Sequence, residues 1–315
     1  MQRENTDLSF DTPIAFLIFN RPDVTRRVFG AIKDIRPRQL FVVGDGPRSD
    51  RPGEAAQVAK TRAIIDDVDW PCDLHVCFAD QNLGCKQRVA TGLDWLFRQV
   101  EEAIILEDDC LPDPSFFPYC QQLLRRYRHD RRVGAISGDN FQDGIRRTPH
   151  SYYFSKYFHC WGWASWRRVW ENYDVDMESW PEFRDHAGVA GFADSECEHW
   201  FWTDLFEKQH RGEINSWAYP WHYSCWTQNA LTVLPDVNLV SNIGFSLDAT
   251  HCRRSNSRFA DLPVESLAEL AHPQRLFRHV EADRYTFRRN FYRDSLSRRT
   301  RRLCRQWLGA SGRAA

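Results

Sequence analysis

The apolar run IAFLIF at residues 14–19 is unbroken, then gives way to the turn NRPD and to VTRRVFGAIKDI. A run without alternation suits a strand buried on both faces, as in a parallel sheet. In the segment that follows, Val24, Val28, Ile32 and Ile35 share one helical face. The rhythm then repeats. LFVV (40–43) predicts a second strand, ended by GDGPRSDRPG, and residues 54–67 predict a helix. LHVCF (74–78) predicts a third strand, followed by ADQNLG and a helix over 86–100 that gathers Val89, Leu93, Leu96, Phe97 and Val100. AIIL (103–106) predicts a fourth strand, SFFPYCQQLLRRYRHD a helix and VGAIS (133–137) a fifth strand.

Strand alternating with helix predicts an α/β fold, an open, mostly parallel sheet flanked by helices. Such sheets bind ligands outside the carboxyl ends of their strands. Here those ends are polar: Asn20 and Arg21, Asp45, Asp80 to Asn82, and Glu107 to Asp109. No GxGxxG follows the first strand and no GxxxxGK[ST] occurs, which argues against a dinucleotide fingerprint and a P-loop. After residue 140 the pattern changes. SYYFSKYFHCWGWASWRRVW is aromatic and broken by Gly162, and PDVNLVSNIGF alternates like a strand. This half is expected to be loops and short elements decorating a site.

Composition refines this picture. The 315 residues are 42% apolar and 27% charged, enough for a packed core. A formal net charge of −1 offers no field for nucleic acid. That balance hides a basic tail, in which residues 275–305 carry eleven arginines against Glu281, Asp283 and Asp294. Apolar residues are interleaved with those arginines. Residues 275–307 therefore read either as a basic amphipathic helix contacting an anionic membrane or as a helix packed on its own domain. Ten cysteines without a CxxC pair, no apolar leader and no long apolar stretch lead us to expect a cytoplasmic protein, peripheral at most on the inner face of a membrane.

The strongest chemical signal is Glu107, Asp108 and Asp109 side by side at the end of the fourth strand. Three adjacent carboxylates repel, and burying them is costly unless a cation is near. They read either as a solvated turn or as a divalent-metal site.

Several motifs, in order along the chain, resemble the inverting, metal-dependent GT-A glycosyltransferases, in particular N-acetylglucosaminyltransferase I and its bacterial look-alikes. The resemblance implies a GT-A type, Rossmann-like domain over residues 13–252. Residues 13–140 would form its nucleotide-sugar half and 141–252 an aromatic-rich acceptor half. A short extension (1–12) would precede it and the Arg-rich helical tail (253–315) would follow. NRPDVTRR resembles the nucleotide-contacting turn, which places Asn20 and Arg21 at the donor. VVGDGP resembles the turn whose acid, here Asp45, holds the nucleoside. LEDD resembles the DXD-type triplet. Asp109 would then bind Mn²⁺ or Mg²⁺, Asp108 contact ribose or a metal-bound water, and Glu107 orient the donor sugar. Lys86 is a further candidate for donor contact. CWGWASW resembles the acceptor loop around Gly162, in which Trp161 and Trp163 read either as sugar-stacking surfaces or as core, and Trp217 is a further acceptor-side candidate. DATHC brings His251 to the metal or diphosphate. SWAYPW resembles the helix start that carries the catalytic base after a tryptophan, here Trp217.

At that base position stands Ala218. Inverting transfer needs a base for the acceptor hydroxyl. Three explanations stand: a base-deleted variant, a natural pseudoenzyme, or another carboxylate such as Asp204, Glu198 or Asp194. The expected function is metal-dependent inverting transfer from a nucleotide sugar, UDP-linked, to a saccharide or glycoconjugate. The alternatives are a non-catalytic sugar-nucleotide or glycan binder, and a nucleotidyltransferase, which would want a Gly-rich, Arg-containing loop where NRPD stands.

Overall fold

The computed structural model describes residues 10–245 and 257–291. In its first half strand and helix alternate as the apolar pattern predicts: β1 (Ile14–Ile18), α1 (Pro22–Ile35), β2 (Gln39–Gly44), α2 (Glu54–Arg62), β3 (Asp73–Phe78), α3 (Gly84–Phe97) and β4 (Glu102–Glu107). There follow β5 (Cys110–Pro112), α4 (Phe116–Tyr127) and β6 (Val133–Ser137). Every residue of β1 is buried, as an unbroken apolar run requires. Pro22 opens α1, where its fixed φ suits the first turn and its missing N–H costs nothing.

Beyond residue 140 come β7 (Tyr152–Ser155), β8 (Trp163–Trp166), α5 (Arg167–Trp170), α6 (Trp180–Asp185), α7 (Glu196–His210), α8 (Ala218–Thr227), β9 (Leu231–Pro235), β10 (Val240–Asn242) and α9 (Val280–Thr286). The expectation that this half merely decorates the site is corrected. Its strands β7, β8 and β9 belong to the main eight-stranded sheet, whose order is β3-β2-β1-β4-β8-β6-β9-β7. β8 and β7 run against the other six strands. β8 is wedged between β4 and β6, pairing Trp163 with Ile105 and Ala164 with Ile136. Four residues, two of them tryptophan, are too few to display a period of two. Gly162 launches the strand at φ +64, and a Cβ there would lie 2.8 Å from Val240 Cγ2. Only glycine meets both demands.

The main core lies along this sheet and its helices. A second apolar cluster sits around α7 and α8, built from Trp180, Trp202, Phe206, Tyr223 and Trp226. In the described stretch the tail takes the packed alternative. Arg278 makes a β-bridge with Phe154, and α9 buries Ala282, Asp283 and Thr286, followed by Phe287. With these residues turned inward, residues 275–291 do not form the membrane-facing helix; residues 292–307 lie outside the described residues. Among the described residues no helix is long and apolar enough to cross a membrane.

A buried ionic network fastens this packing. Lys156, just past β7, holds Glu198 at 2.5 Å and Asp194 at 3.0 Å, and donates to Phe192 O at 2.7 Å. Arg278 joins Asp194 and, at 2.5 Å, Asp283, which also accepts from Ser155 Oγ. Removing one partner of such a pair leaves a buried charge uncompensated. Lys156→Met should therefore lower unfolding free energy in urea by about 3–5 kcal/mol. A loss below about 1 kcal/mol, the size of a surface ion pair, would contradict the structural role given to the network.

Candidate functional site

The carboxyl ends of β1, β2, β3 and β4 lie along one edge of the sheet, and the predicted polar residues collect there. Glu107 closes β4, with Asp108 and Asp109 directly after it. Arg21, between β1 and α1, reaches across to both aspartates. Its Nη2 donates to Asp108 Oδ1 and, at 2.9 Å, to Asp109 Oδ2, while Nη1 donates to Gly244 O at 3.4 Å. Burial would lower this guanidinium's pKa, but Asp108 and Asp109 outweigh it and hold the charge firmly. The resemblance places Arg21 at the donor; in the structure it is the counter-ion of the triplet.

One guanidinium does not balance three carboxylates. Burial, then repulsion from Asp109 and Asp108, pushes Glu107 up to about 8. Burial raises Asp108 to about 6 against the pull of Arg21. Asp108 Oδ2 is buried with no hydrogen-bond partner among the described residues. An all-oxygen donor set with excess negative charge and an orphaned oxygen fits a hard divalent cation. The fit is partial on the protein side, for no group of three or more His, Cys, Asp or Glu among the described residues could hold a metal alone. Asp109 would be the protein's ligand, with the remaining positions open to a diphosphate.

The far wall of the triplet is the strand that leads towards His251. β10 pairs antiparallel with β5, setting Asn242 opposite Cys110, and Ile243 N donates to Asp109 O at 2.8 Å. A Cβ on Gly244 would lie 2.2 Å from Asp109 Oδ2, so the NIGF segment closes directly over that carboxylate. His251 itself lies outside the described residues.

Other expected donor residues are placed differently. The Asp45 carboxylate accepts from Gly46 N (2.8 Å), Leu83 N (2.9 Å), Asn82 Nδ2 (2.9 Å) and Gly84 N (3.0 Å). Four donors use its acceptor capacity, so the nucleoside-holding role expected of the side chain is corrected. It ties the turn after β2 to the start of α3. Asn20 donates to Glu54, which Arg48 also clamps, and the Lys86 ammonium is held by Asp176 at 2.8 Å. Cys85, in the first turn of α3, has its thiol raised by burial and then by Glu107 and Asp45, so this helix start adjoins the triplet.

On the acceptor side, Trp161 is half-buried, edge-on to Phe141, Phe245 and Phe259 at 5.1, 5.8 and 6.1 Å. Trp163 is 0% exposed and stacks on Trp217 at 5.5 Å. Trp163 is core, which corrects its expected sugar contact; Trp161 packs against the core but keeps part of its ring exposed. Ala218 opens α8 half-buried, and Asn215 just before it accepts from Lys86 N at 3.2 Å, so this helix start borders the α3 end of the crevice.

The substitute bases fare poorly. Glu198 is buried, held by Lys156 and by Tyr157 Oη, and accepts from Asp194 N at 2.7 Å. Burial raises Asp194, but Arg278 and Lys156 keep its carboxyl below the usual range. Asp204, on α7, pairs with Lys208 one turn on at 2.7 Å. The structure brings none of the three to the triplet.

The sequence reading passed over one pair. Asp139 follows the carboxyl end of β6, and His159 precedes CWGW. His159 Nδ1 stands 3.5 Å from Asp139 Oδ1. Burial raises the Asp139 carboxyl, opposed by His159 and by the backbone amide of Trp161. Their legible signals were a polar strand end of the kind noted on the other strands and a histidine abutting the proposed acceptor loop.

No protein-family model and no curated protein sequence matches this chain. Among solved structures, HddC from Yersinia pseudotuberculosis complexed with GMP-PN is similar at 10% identity and TM-score 0.32, over 51% of this chain and 80% of that one. 4-Diphosphocytidyl-2C-methyl-D-erythritolsynthase from Anaerococcus prevotii DSM 20548 is similar at 12% identity and TM-score 0.32, over 55% and 84%. UDP-glucose pyrophosphorylase complexed with UDP-glucose is similar at 8% identity and TM-score 0.35, over 71% and 90%. The resemblance to GT-A glycosyltransferases thus rests on the sequence motifs.

The triplet makes a pH prediction. The folded protein without a cation keeps a proton on Glu107 up to about 8, whereas an unperturbed glutamate releases it near 4.5. Folded stability from this group is full below 4.5 and is lost as pH rises through 8. EDTA-treated protein should therefore melt lower at pH 8.5 than at pH 6.5, by more than Glu107→Gln does. Mn²⁺ should restore most of the difference. Equal pH dependence in both proteins would contradict the assignment.

Proposed function

We propose that this chain transfers a sugar, with inversion, from a UDP-type nucleotide sugar to a hydroxyl of a saccharide or glycoconjugate, assisted by Mn²⁺ or Mg²⁺. The observation that carries this reading is the charge-imbalanced cluster of Glu107, Asp108, Asp109 and Arg21 at the carboxyl edge of a mostly parallel sheet. Asp109, with His251 as a second candidate, would hold the cation. When bound, the cation would offset negative charge developing on the leaving diphosphate. Arg21 keeps a positive charge at the same place and orients both aspartates. Glu107 lies at the strand end, where a carboxyl can accept from donor-sugar hydroxyls. Trp161 offers an aromatic ring beside the loop shaped by Gly162, a surface suited to the apolar face of a sugar.

A nucleotidyltransferase is less favoured, because β1 and α1 are joined by only Phe19, Asn20 and Arg21, with no glycine-rich loop. A non-catalytic sugar-nucleotide or glycan binder is the second reading, favoured by Ala218 at the expected base position.

Calorimetry separates these readings from a merely structural triplet. Wild-type protein should bind UDP only with Mn²⁺ present. Asp109→Ala should abolish that binding without lowering the melting temperature, since it relieves repulsion within the triplet. UDP binding that is indifferent to Mn²⁺ and to Asp109→Ala would refute the proposal.

A further inference from the structure

We propose that His159 and Asp139 form the proton-accepting pair of this site, with His159 the group that meets the acceptor hydroxyl and Asp139 the group that positions its ring. The inference deepens the glycosyl-transfer reading and rests on it. Its first support is an anomaly of burial. Asp139 is 0% exposed, and neither of its oxygens has a hydrogen bond of full geometry among the described residues, the Trp161 amide and His159 only approaching it. The other buried carboxylates of this half are compensated: Glu198 by Lys156, Asp283 by Arg278 and Ser155, and Asp236 by Arg146 and the backbone of Arg147. A buried carboxylate without such compensation is costly, and its persistence calls for a role.

The second support is the partner. His159 is 6% exposed, with both ring nitrogens also lacking hydrogen bonds among the described residues. Its Nδ1 faces Asp139 Oδ1 at 3.5 Å, a gap that a small ring movement closes to a hydrogen bond. Its main chain is fixed by Ser137, whose hydroxyl donates to His159 O at 2.6 Å and accepts from His159 N at 3.4 Å. Phe141 lies over the ring at 4.6 Å. With Nδ1 turned to the carboxylate, Nε2, itself buried, is the nitrogen left to meet the acceptor hydroxyl. A carboxylate that holds one imidazole nitrogen fixes the tautomer and stabilises the imidazolium formed at the other. Titratable groups that face the pair include His222 of α8, Cys110 and Tyr153.

The third support is position. β4 and β6 are separated in the sheet by β8 alone, so their carboxyl ends lie about 10 Å apart, two strand spacings. The two ends are stitched together: Gly138 N donates to Gly162 O at 2.7 Å, Leu239 N to Gly138 O at 2.9 Å, and Ile243 N to Asp109 O at 2.8 Å. That separation is on the scale of one sugar residue between the diphosphate end at Asp109 and a base at His159. Trp161 flanks the same loop. In the step, the acceptor oxygen forms a bond to the anomeric carbon as the bond from that carbon to the diphosphate oxygen breaks. The leaving oxygen keeps the electron pair. The hydroxyl proton passes to His159 Nε2 and then to water.

The test measures Mn²⁺-dependent UDP release from UDP-glucose, UDP-N-acetylglucosamine and related UDP sugars, with water or mixed oligosaccharides as acceptor. His159→Gln should lower kcat by about 10²–10⁴, and Asp139→Asn by up to about 10⁴, with Mn²⁺–UDP affinity and melting temperature kept. Added imidazole should restore part of the rate of His159→Ala, which a folding defect would not allow. Wild-type turnover that survives His159→Gln, or that rises in Ala218→Asp while His159→Gln is silent, overturns the pair alone. Wild-type protein that binds Mn²⁺–UDP yet releases UDP from no donor overturns the transferase reading, and the pair with it.

Discussion

The contact on which this site depends is the one from Arg21 to Asp108 and Asp109. It draws the β1–α1 turn onto the end of β4 and lets a buried sheet terminate in three carboxylates. It also leaves the balance negative, and the protonation of Glu107 and Asp108 expresses that imbalance when no cation is present. The surrounding backbone is arranged for the same purpose. β10 and Gly244 close over Asp109, and the turn held by Asp45 fixes the start of α3 beside it. Displacing Arg21 would disturb the triplet and the segment closed over it together, because Arg21 touches Asp108, Asp109 and Gly244 O.

The second half of the chain supplies rigidity of another kind. β8 inserts a pair of tryptophans into the sheet, and the stack of Trp163, Trp217 and Trp221 ties α8 to it. Lys156, Glu198, Asp194, Arg278 and Asp283 then lock α7 and α9 to the end of β7. Glu198 and Asp194, two of the carboxylates considered as substitutes for a base at Ala218, are thereby committed to folding. Asp139 and His159 are the pair that this scaffold leaves uncommitted.

The parts legible in the sequence share a physical trait: each is encoded over a local window. β1 to β4, β6 and the helices between them were readable because continuous apolar runs alternate with amphipathic segments and polar turns. The acidic triplet was readable because like charges at a strand end are costly. What escaped depends on distant partners. β8 is four residues long, and its identity as a central strand exists only through pairing with β4 and β6. Asp45 reads as a free acid until Asn82, Leu83 and Gly84 arrive to occupy it, and Trp163 reads as a platform until Trp217 covers it. Asp139 and His159 are twenty residues apart, and neither signals the other.

The account's central claim is that Asp109 and its neighbours receive a cation and a nucleoside diphosphate at the carboxyl edge of the sheet. Anomalous scattering from crystals grown with Mn²⁺ and UDP tests it most directly. The account predicts a single strong manganese peak at coordination distance from the Asp109 carboxylate, with diphosphate density on its open side. Manganese and UDP bound elsewhere, with Arg21 still closed on an empty triplet, would contradict it.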